Sequence, residues 1–242
     1  MAWFKTWFNT PYYHILYNNR DFAEAESFIS LLTADLELPK GSKIIDLACG
    51  KGRHSVYLNQ LGYDVLGLDL SEESIAHNKQ FENETLKFEV HDMRDPREVE
   101  KMDAVFNLFT SFGYFDDPED DKKVFCSVHK ILKDNGYFVL DFLNERYVRN
   151  TLVAESVVHR AEYKFQIEKR IENQHVIKDI RFLDDGEELH FFERVKLHTL
   201  EEIEEIAVNC GFERIILYGN YNLAPFNLEQ SPRCINVFRK IK

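Results

Sequence analysis

The stretch from Ile44 to Asp69, IIDLACGKGRHSVYLNQLGYDVLGLD, restricts the fold more than any other part of the chain. Ile44, Ile45 and Leu47 make the short apolar run of a buried parallel strand, and Gly50 and Gly52 follow where the backbone must turn sharply. A helix is expected from about Arg53 to Leu61, stopped by Gly62, before a second apolar strand of Val65, Leu66 and Leu68 that ends in Asp69. Strand, loop, helix and strand in this order form one right-handed βαβ unit.

That geometry carries chemistry. Glycines at 50 and 52 lack a Cβ, so the backbone can approach a ligand at the carboxyl end of the first strand. Asp69 ends the second strand beside the loop, where its carboxylate can accept two hydrogen bonds from a ribose diol, which points to an adenosine ligand. A dinucleotide fits less well: the third glycine of G-x-G-x-x-G is Ser55 here, and Asp46 would repel a diphosphate while suiting a cationic ligand.

Later segments extend the same alternation. An amphipathic helix is expected from about Asp21 to Leu36, and Ser71 caps a helix after Asp69. Strands are expected at 86–90, 103–109 and 137–142, with an Asn135-Gly136 turn before the last of these. The acidic run 116–121 suits the start of a helix, whose dipole favours carboxylates, better than a metal site. From 156 to 197 the pattern changes to alternating stretches, EYKFQIEKRIE, HVIKDIRFL and LHFFERVKL, which read as an antiparallel insertion. A helix capped by Thr199 and stopped by Gly211 follows, and strands at 212–218 and 234–239 close the sheet. The fold class is therefore α/β: a doubly wound, Rossmann-like sheet of seven strands, the last antiparallel, with a β insertion between the fifth strand and the last helix. The expected organisation is an N-terminal lid segment and helix over 1–40, a core over 41–143 and 198–242, and an insertion over 144–197.

Composition narrows the ligands. With a formal net charge of −12 and no cluster of lysine and arginine to follow a phosphate backbone, nucleic acid is disfavoured as substrate. A small neutral or cationic molecule or a polar metabolite fits better. The four cysteines, Cys49, Cys126, Cys210 and Cys234, are widely spaced and contain no C-x-x-C, so reduced thiols are expected. No run is long enough for a signal peptide or a membrane span, which points to a cytoplasmic protein, monomeric or homodimeric.

D-L-A-C-G-K-G-R followed by G-L-D-L-S resembles the first two motifs of class I S-adenosylmethionine-dependent methyltransferases. The pattern is most similar to the glycine N-methyltransferase and amino-sugar N,N-dimethyltransferase branch. The resemblance implies S-adenosyl-L-methionine as cofactor, held by Asp46, Ala48, Gly50, Gly52, Asp69 and Leu70, by Asp92 and Met93 at the adenine, and by Leu108. It implies a lid in YYHILYNNRDF, with Arg20 on the methionine carboxylate and Tyr13 and Tyr17 facing the methyl group or the acceptor; a surface position is the alternative for Arg20. Thr110, Ser111 and Tyr114 would face the acceptor, so Tyr13, Tyr17, Ser111 and Tyr114 form the expected catalytic face, with no metal. For a hydroxyl acceptor, His14 or a lid tyrosine is the candidate base. Leu143 stands where the glycine enzyme has a substrate-holding arginine, so glycine itself is disfavoured. The implied activity is methyl transfer to nitrogen or oxygen of a small molecule; the alternative is a silent protein of the same fold that binds S-adenosylmethionine or S-adenosylhomocysteine.

Overall fold

The computed structural model describes residues 3–17, 22–97 and 100–241 of the chain. Helices α1 (Trp3–Trp7), α2 (Pro11–Leu16) and α3 (Phe22–Asp35) precede the first strand. Then come β1 (Lys43–Leu47), α4 (Arg53–Gln60), β2 (Asp64–Asp69), α5 (Glu72–Asn78), β3 (Leu86–Val90), β4 (Met102–Asn107), α6 (Pro118–Ile131) and β5 (Leu132–Leu143). Next follow α7 (Glu145–Thr151), β6 (Glu155–Arg160), β7 (Tyr163–Glu172), β8 (His175–Asp184) and β9 (Glu187–Lys196). The chain finishes with α8 (Leu200–Asn209), β10 (Phe212–Tyr218) and β11 (Arg233–Lys240).

Seven strands form one sheet in the order β10-β11-β5-β4-β1-β2-β3. β1 to β5 run parallel, and β11 is antiparallel to both of its neighbours. Both faces are covered, which is why the central strands carry apolar residues on both faces rather than at alternate positions only. Ile44, Ala104, Phe106 and Val139 pack on the side of α3 and α4, while Ile45, Val105, Phe138 and Leu140 pack on the side of α6 and α8. The last helix carries a full capping box: Thr199 Oγ1 accepts from the Glu202 amide, and Glu202 accepts from the Thr199 amide.

β6 to β9 form a separate four-stranded antiparallel sheet inserted between β5 and α8. Its inner face does not close on the main sheet alone. Trp7 and Leu16 of α1 and α2 form a third apolar cluster with Phe165, Ile167, Ile180 and Phe182 of β7 and β8.

The structure departs from the sequence reading at several places. β4 ends at Asn107, because Phe109 and Thr110 have left-handed backbones (φ 59° and 63°) that no strand accommodates. β5 begins at Leu132, and the Asn135-Gly136 turn lies inside it as a bulge: Leu132 faces Met102, and Tyr137 faces Ala104. β6 was not expected, since its Val157 is exposed and its alternation is weak, and neither was α7. The expectation of reduced thiols is corrected for one pair. Cys126 and Cys210, 84 residues apart, are joined as a disulfide with Cα atoms 5.1 Å apart, while Cys49 and Cys234 are free and buried. Cysteine spacing along the chain misses this pair because it is the packing of α6 against α8 that brings the two together.

Candidate active site

The glycine loop leaves β1 with every second residue left-handed: Ala48 at φ 62°, Gly50 at 53° and Gly52 at 75°. The two glycines do different work. A Cβ at Gly50 would meet nothing within 4 Å, so this edge is open, whereas one at Gly52 would stand 2.9 Å from Phe88 Cε1 and 3.1 Å from Asn78 Nδ2. Gly52 therefore packs the start of α4. Gly67 allows the helix–strand approach that a third loop glycine would otherwise permit: its Cβ would lie 2.5 Å from Phe88 Cδ1 and 3.0 Å from Ser55 Oγ. Asp46 also lies behind the loop rather than on it. It is fully buried, accepts a 2.6 Å hydrogen bond from Ser55 Oγ, and has its pKa pushed up to about 6 by burial, with the nearby Asp69 adding to the rise.

A cavity of about 290 Å³ opens at the carboxyl ends of β1, β2 and β3, where open α/β sheets place their ligands. Asp69 lines it. Its Oδ2 accepts from the Gly50 amide and its Oδ1 from the Ser71 amide, both at 2.8 Å, so the carboxylate anchors the loop and keeps one lone pair per oxygen for a ligand. The Gly50 amide is thereby committed to a carboxylate rather than offered to a diphosphate, which agrees with the reading against a dinucleotide. Burial raises the Asp69 pKa, partly offset by these amides. Ala48, Leu70, Asp92, Met93, Leu108 and Ser111 line the same cavity. Asp92 is less available than expected: the Arg94 guanidinium grips both its oxygens at 2.9 and 2.6 Å, holds its pKa below the usual carboxylate range, and reaches Asp120 as well.

A second cavity, of about 500 Å³, lies between the N-terminal helices, the loop after β4, α7 and the inner face of the inserted sheet. Phe8, Tyr13, Tyr17, Phe109 and Tyr114 line both cavities and form the junction. The left-handed pair at 109 and 110 stores strain of about 1 kcal/mol or more per residue, which its surroundings must offset. Asp141, fully buried on β5, accepts from the Phe109 amide at 2.8 Å, from Tyr221 Oη at 3.1 Å and from Arg233 Nε at 2.7 Å. Arg233 also donates to Thr110 Oγ1 at 2.8 Å. The Phe109 ring stacks between His54 and Tyr221, with ring centres 4.9 and 4.7 Å away, and the Arg53 guanidinium sits 4.2 Å from its centre. Burial, reinforced by Asp141, pushes the Tyr221 pKa well above its usual value, so its hydroxyl stays a donor.

Of the expected acceptor-facing residues, Thr110 and Tyr114 reach the second cavity, and the Tyr114 hydroxyl donates to the Thr110 carbonyl. Ser111 does not: it lines the first cavity only and donates to the Leu108 carbonyl at 3.1 Å. Tyr17 donates to Glu193 Oε1 at 2.6 Å and accepts from Lys178. His14 lines the first cavity, not the second, and burial, with Lys51 and His77 nearby, lowers its pKa to about 4, which leaves a weakly basic imidazole. Arg20 lies outside the described residues. In the acidic run Asp117 caps α6 and Asp120 pairs with Arg94 and Lys123, and among the described residues no group of three or more His, Cys, Asp or Glu is placed to hold a metal.

Sequence reasoning missed Phe109, Tyr221, Arg233, Lys169, Lys178 and Glu193. Arg233 stands directly opposite Leu143 in the β5–β11 register, so an arginine reaches this place from the neighbouring strand. For Lys169, Lys178 and Glu193 a signal was present: each occupies an apolar-phase position of its alternating strand.

A family model described as a methyltransferase domain matches residues 38–205. YqeM of Bacillus subtilis (strain 168), provisionally named a methyltransferase, is 30% identical over 189 residues, 74% of this chain and 76% of that one. A glycine/sarcosine N-methyltransferase of Aphanothece halophytica is 34% identical, and an N,N-dimethyltransferase of Streptomyces venezuelae named for dTDP-3-amino-3,4,6-trideoxy-alpha-D-glucopyranose is 33% identical. These alignments cover 54% and 53% of this chain, and about half of each relative, 49% and 54%. The crystal structure of an S-adenosylmethionine-dependent methyltransferase from Clostridium acetobutylicum ATCC 824 superimposes over 96% of both chains with a TM-score of 0.80 at 20% identity, which shows a shared fold. The chain belongs to the methyltransferase-domain family, as a class I, S-adenosylmethionine-dependent methyltransferase. No helix among the described residues is long and apolar enough to cross a membrane.

Proposed function

We propose that the protein methylates a small-molecule acceptor at nitrogen or oxygen, with the first cavity holding S-adenosylmethionine and the second the acceptor. The observation that carries this is that Tyr13, Tyr17 and Tyr114 line both cavities, since transfer needs donor and acceptor chambers that meet. A protein that only bound the cofactor would have no use for the second chamber.

The residues present fit the cofactor. Gly50 leaves room for close approach, Asp69 has a lone pair free on each oxygen for a ribose diol, and Leu70, Met93 and Leu108 supply apolar surface for an adenine ring. When bound, S-adenosylmethionine supplies a methyl group already activated on sulfonium for in-line displacement. The chain's own task is to align the nucleophile and exclude water. Phe8, Tyr13, Tyr17 and Tyr114 form an aromatic collar that does both, and the Asp141–Arg233–Tyr221 network holds the Phe109 side of the collar in place. An amine acceptor entering neutral needs no strong base, in keeping with the weakly basic His14. The N-methyltransferase relatives support nitrogen as the acceptor atom.

The test is titration with S-adenosylmethionine and S-adenosylhomocysteine, followed by a methyl-transfer screen over amines, amino acids, amino sugars and phenols. Binding with turnover is the expected result. Binding without turnover on any acceptor would leave the silent binder as the correct reading.

A further inference from the structure

The inserted sheet breaks its own pattern at one level. Its inner face carries a row of Ile167, Ile180 and Phe191, and further along a row of Ile171, Val176 and Val195. Between them, directly opposite one another across three strands, stand Lys169, Lys178 and Glu193. Charges on the covered face of a sheet are unfavourable unless paired. Glu193 Oε2 lies 3.7 Å from the Lys178 ammonium, so one cation is matched. Lys169 has no ion pair among the described residues, and it faces Lys178, a like-charge juxtaposition that disfavours the sheet.

All three side chains line the second cavity. Its charged lining is Lys169, Lys178 and Arg233 against Glu193, and counting the buried Asp141 behind Arg233 still leaves an excess of positive charge. This occurs in a chain whose net charge is −12. A general preference for cationic acceptors, which the overall charge favours, is therefore reversed inside the chamber.

We propose that the methyl acceptor carries a carboxylate that docks on Lys169, the unmatched cation of this row, with its body running along the aromatic walls toward the junction. The carboxylate completes the row as two cations and two anions. This rests on the methyl-transfer reading, because it treats the second cavity as the acceptor chamber.

The experiment uses acid and amide pairs of matched shape: 4-(aminomethyl)benzoate with its amide, 4-hydroxybenzoate with its amide, and tyrosine with tyrosinamide. Each is titrated into the full chain saturated with S-adenosylhomocysteine. At least one acid should bind about tenfold or more tighter than its amide, the scale of one charge-assisted hydrogen bond. Lys169→Met should erase that preference, Lys169→Arg should keep it, and the affinity for S-adenosylhomocysteine should be equal in all three proteins, which verifies folding. If no acid outbinds its amide, or if the preference survives in Lys169→Met, the assignment is overturned. Failure of S-adenosylhomocysteine itself to bind, read in the first titration, would overturn the methyl-transfer reading and this proposal with it.

Discussion

The two cavities are built in opposite ways. The first is mostly made of loops at the ends of neighbouring parallel strands, and its ligand-facing groups lie within a few residues of a strand end. The second is made of side chains from the N-terminal helices, the loop after β4, α7, the inserted sheet and β11, and it is held by a buried ion pair and a cross-strand row of charges. A ligand held by backbone and one carboxylate can be specified locally. A chamber that must fit one acceptor is specified by whichever segments the tertiary fold brings around it.

Four changes sharpen or break this comparison. Arg233→Met should have the largest effect, because it leaves Asp141 charged and buried beside a strained loop. A loss of about 3–5 kcal/mol is expected in denaturant unfolding. A loss below about 1 kcal/mol would mean that the second chamber is not held by this pair. Asp69→Ala removes both the anchor of the glycine loop and the ribose acceptor, so calorimetry should show S-adenosylhomocysteine binding about a hundredfold weaker, near 3 kcal/mol. An unchanged dissociation constant would sink the ribose assignment.

Asp46→Asn should stabilise the protein. Its folded pKa of about 6 lies above the value of 3.8 for a free aspartate, so the folded state binds the proton more tightly and stability falls as pH rises from about 4 through 6. Asparagine cannot ionise, so the variant should match the natural protein at low pH and exceed it by about 3 kcal/mol at pH 7.5, read from thermal unfolding at both pH values. A gain that does not depend on pH would contradict the burial argument. Tyr221→Phe keeps the stack on Phe109 but removes the 3.1 Å bond to Asp141. It should cost about 1 kcal/mol in stability and raise the acceptor KM while leaving S-adenosylhomocysteine affinity unchanged. A change confined to cofactor affinity would assign Tyr221 to the first chamber instead.

Much of the first chamber was legible in the sequence, since Gly50 and Asp69 follow from where apolar runs stop and glycines turn the chain. Asp46 and Gly52 read from the sequence as cofactor-holding residues, but burial and the position of Phe88 place them behind the cavity wall. Ser111 is within three residues of the acceptor side, and the left-handed turn at 109 and 110 sends it to the other chamber. Leu143 was read as a missing arginine. Strand pairing supplies Arg233 beside it, from 90 residues further along the chain.

The alternation of strands and helices, the glycine loop and the carboxylate at the end of β2 were determined by the sequence alone. Each arises from interactions between residues close in the chain: strand periodicity, backbone conformations open to glycine, and helix caps. The tertiary structure alone decided which cysteines meet, which cations face one another across the inserted sheet, and which arginine neutralises Asp141. Those contacts depend on strand register and helix packing across separations of 84 and 92 residues for the disulfide and the Asp141–Arg233 pair. One residue of slip in a strand would turn every such side chain to the opposite face.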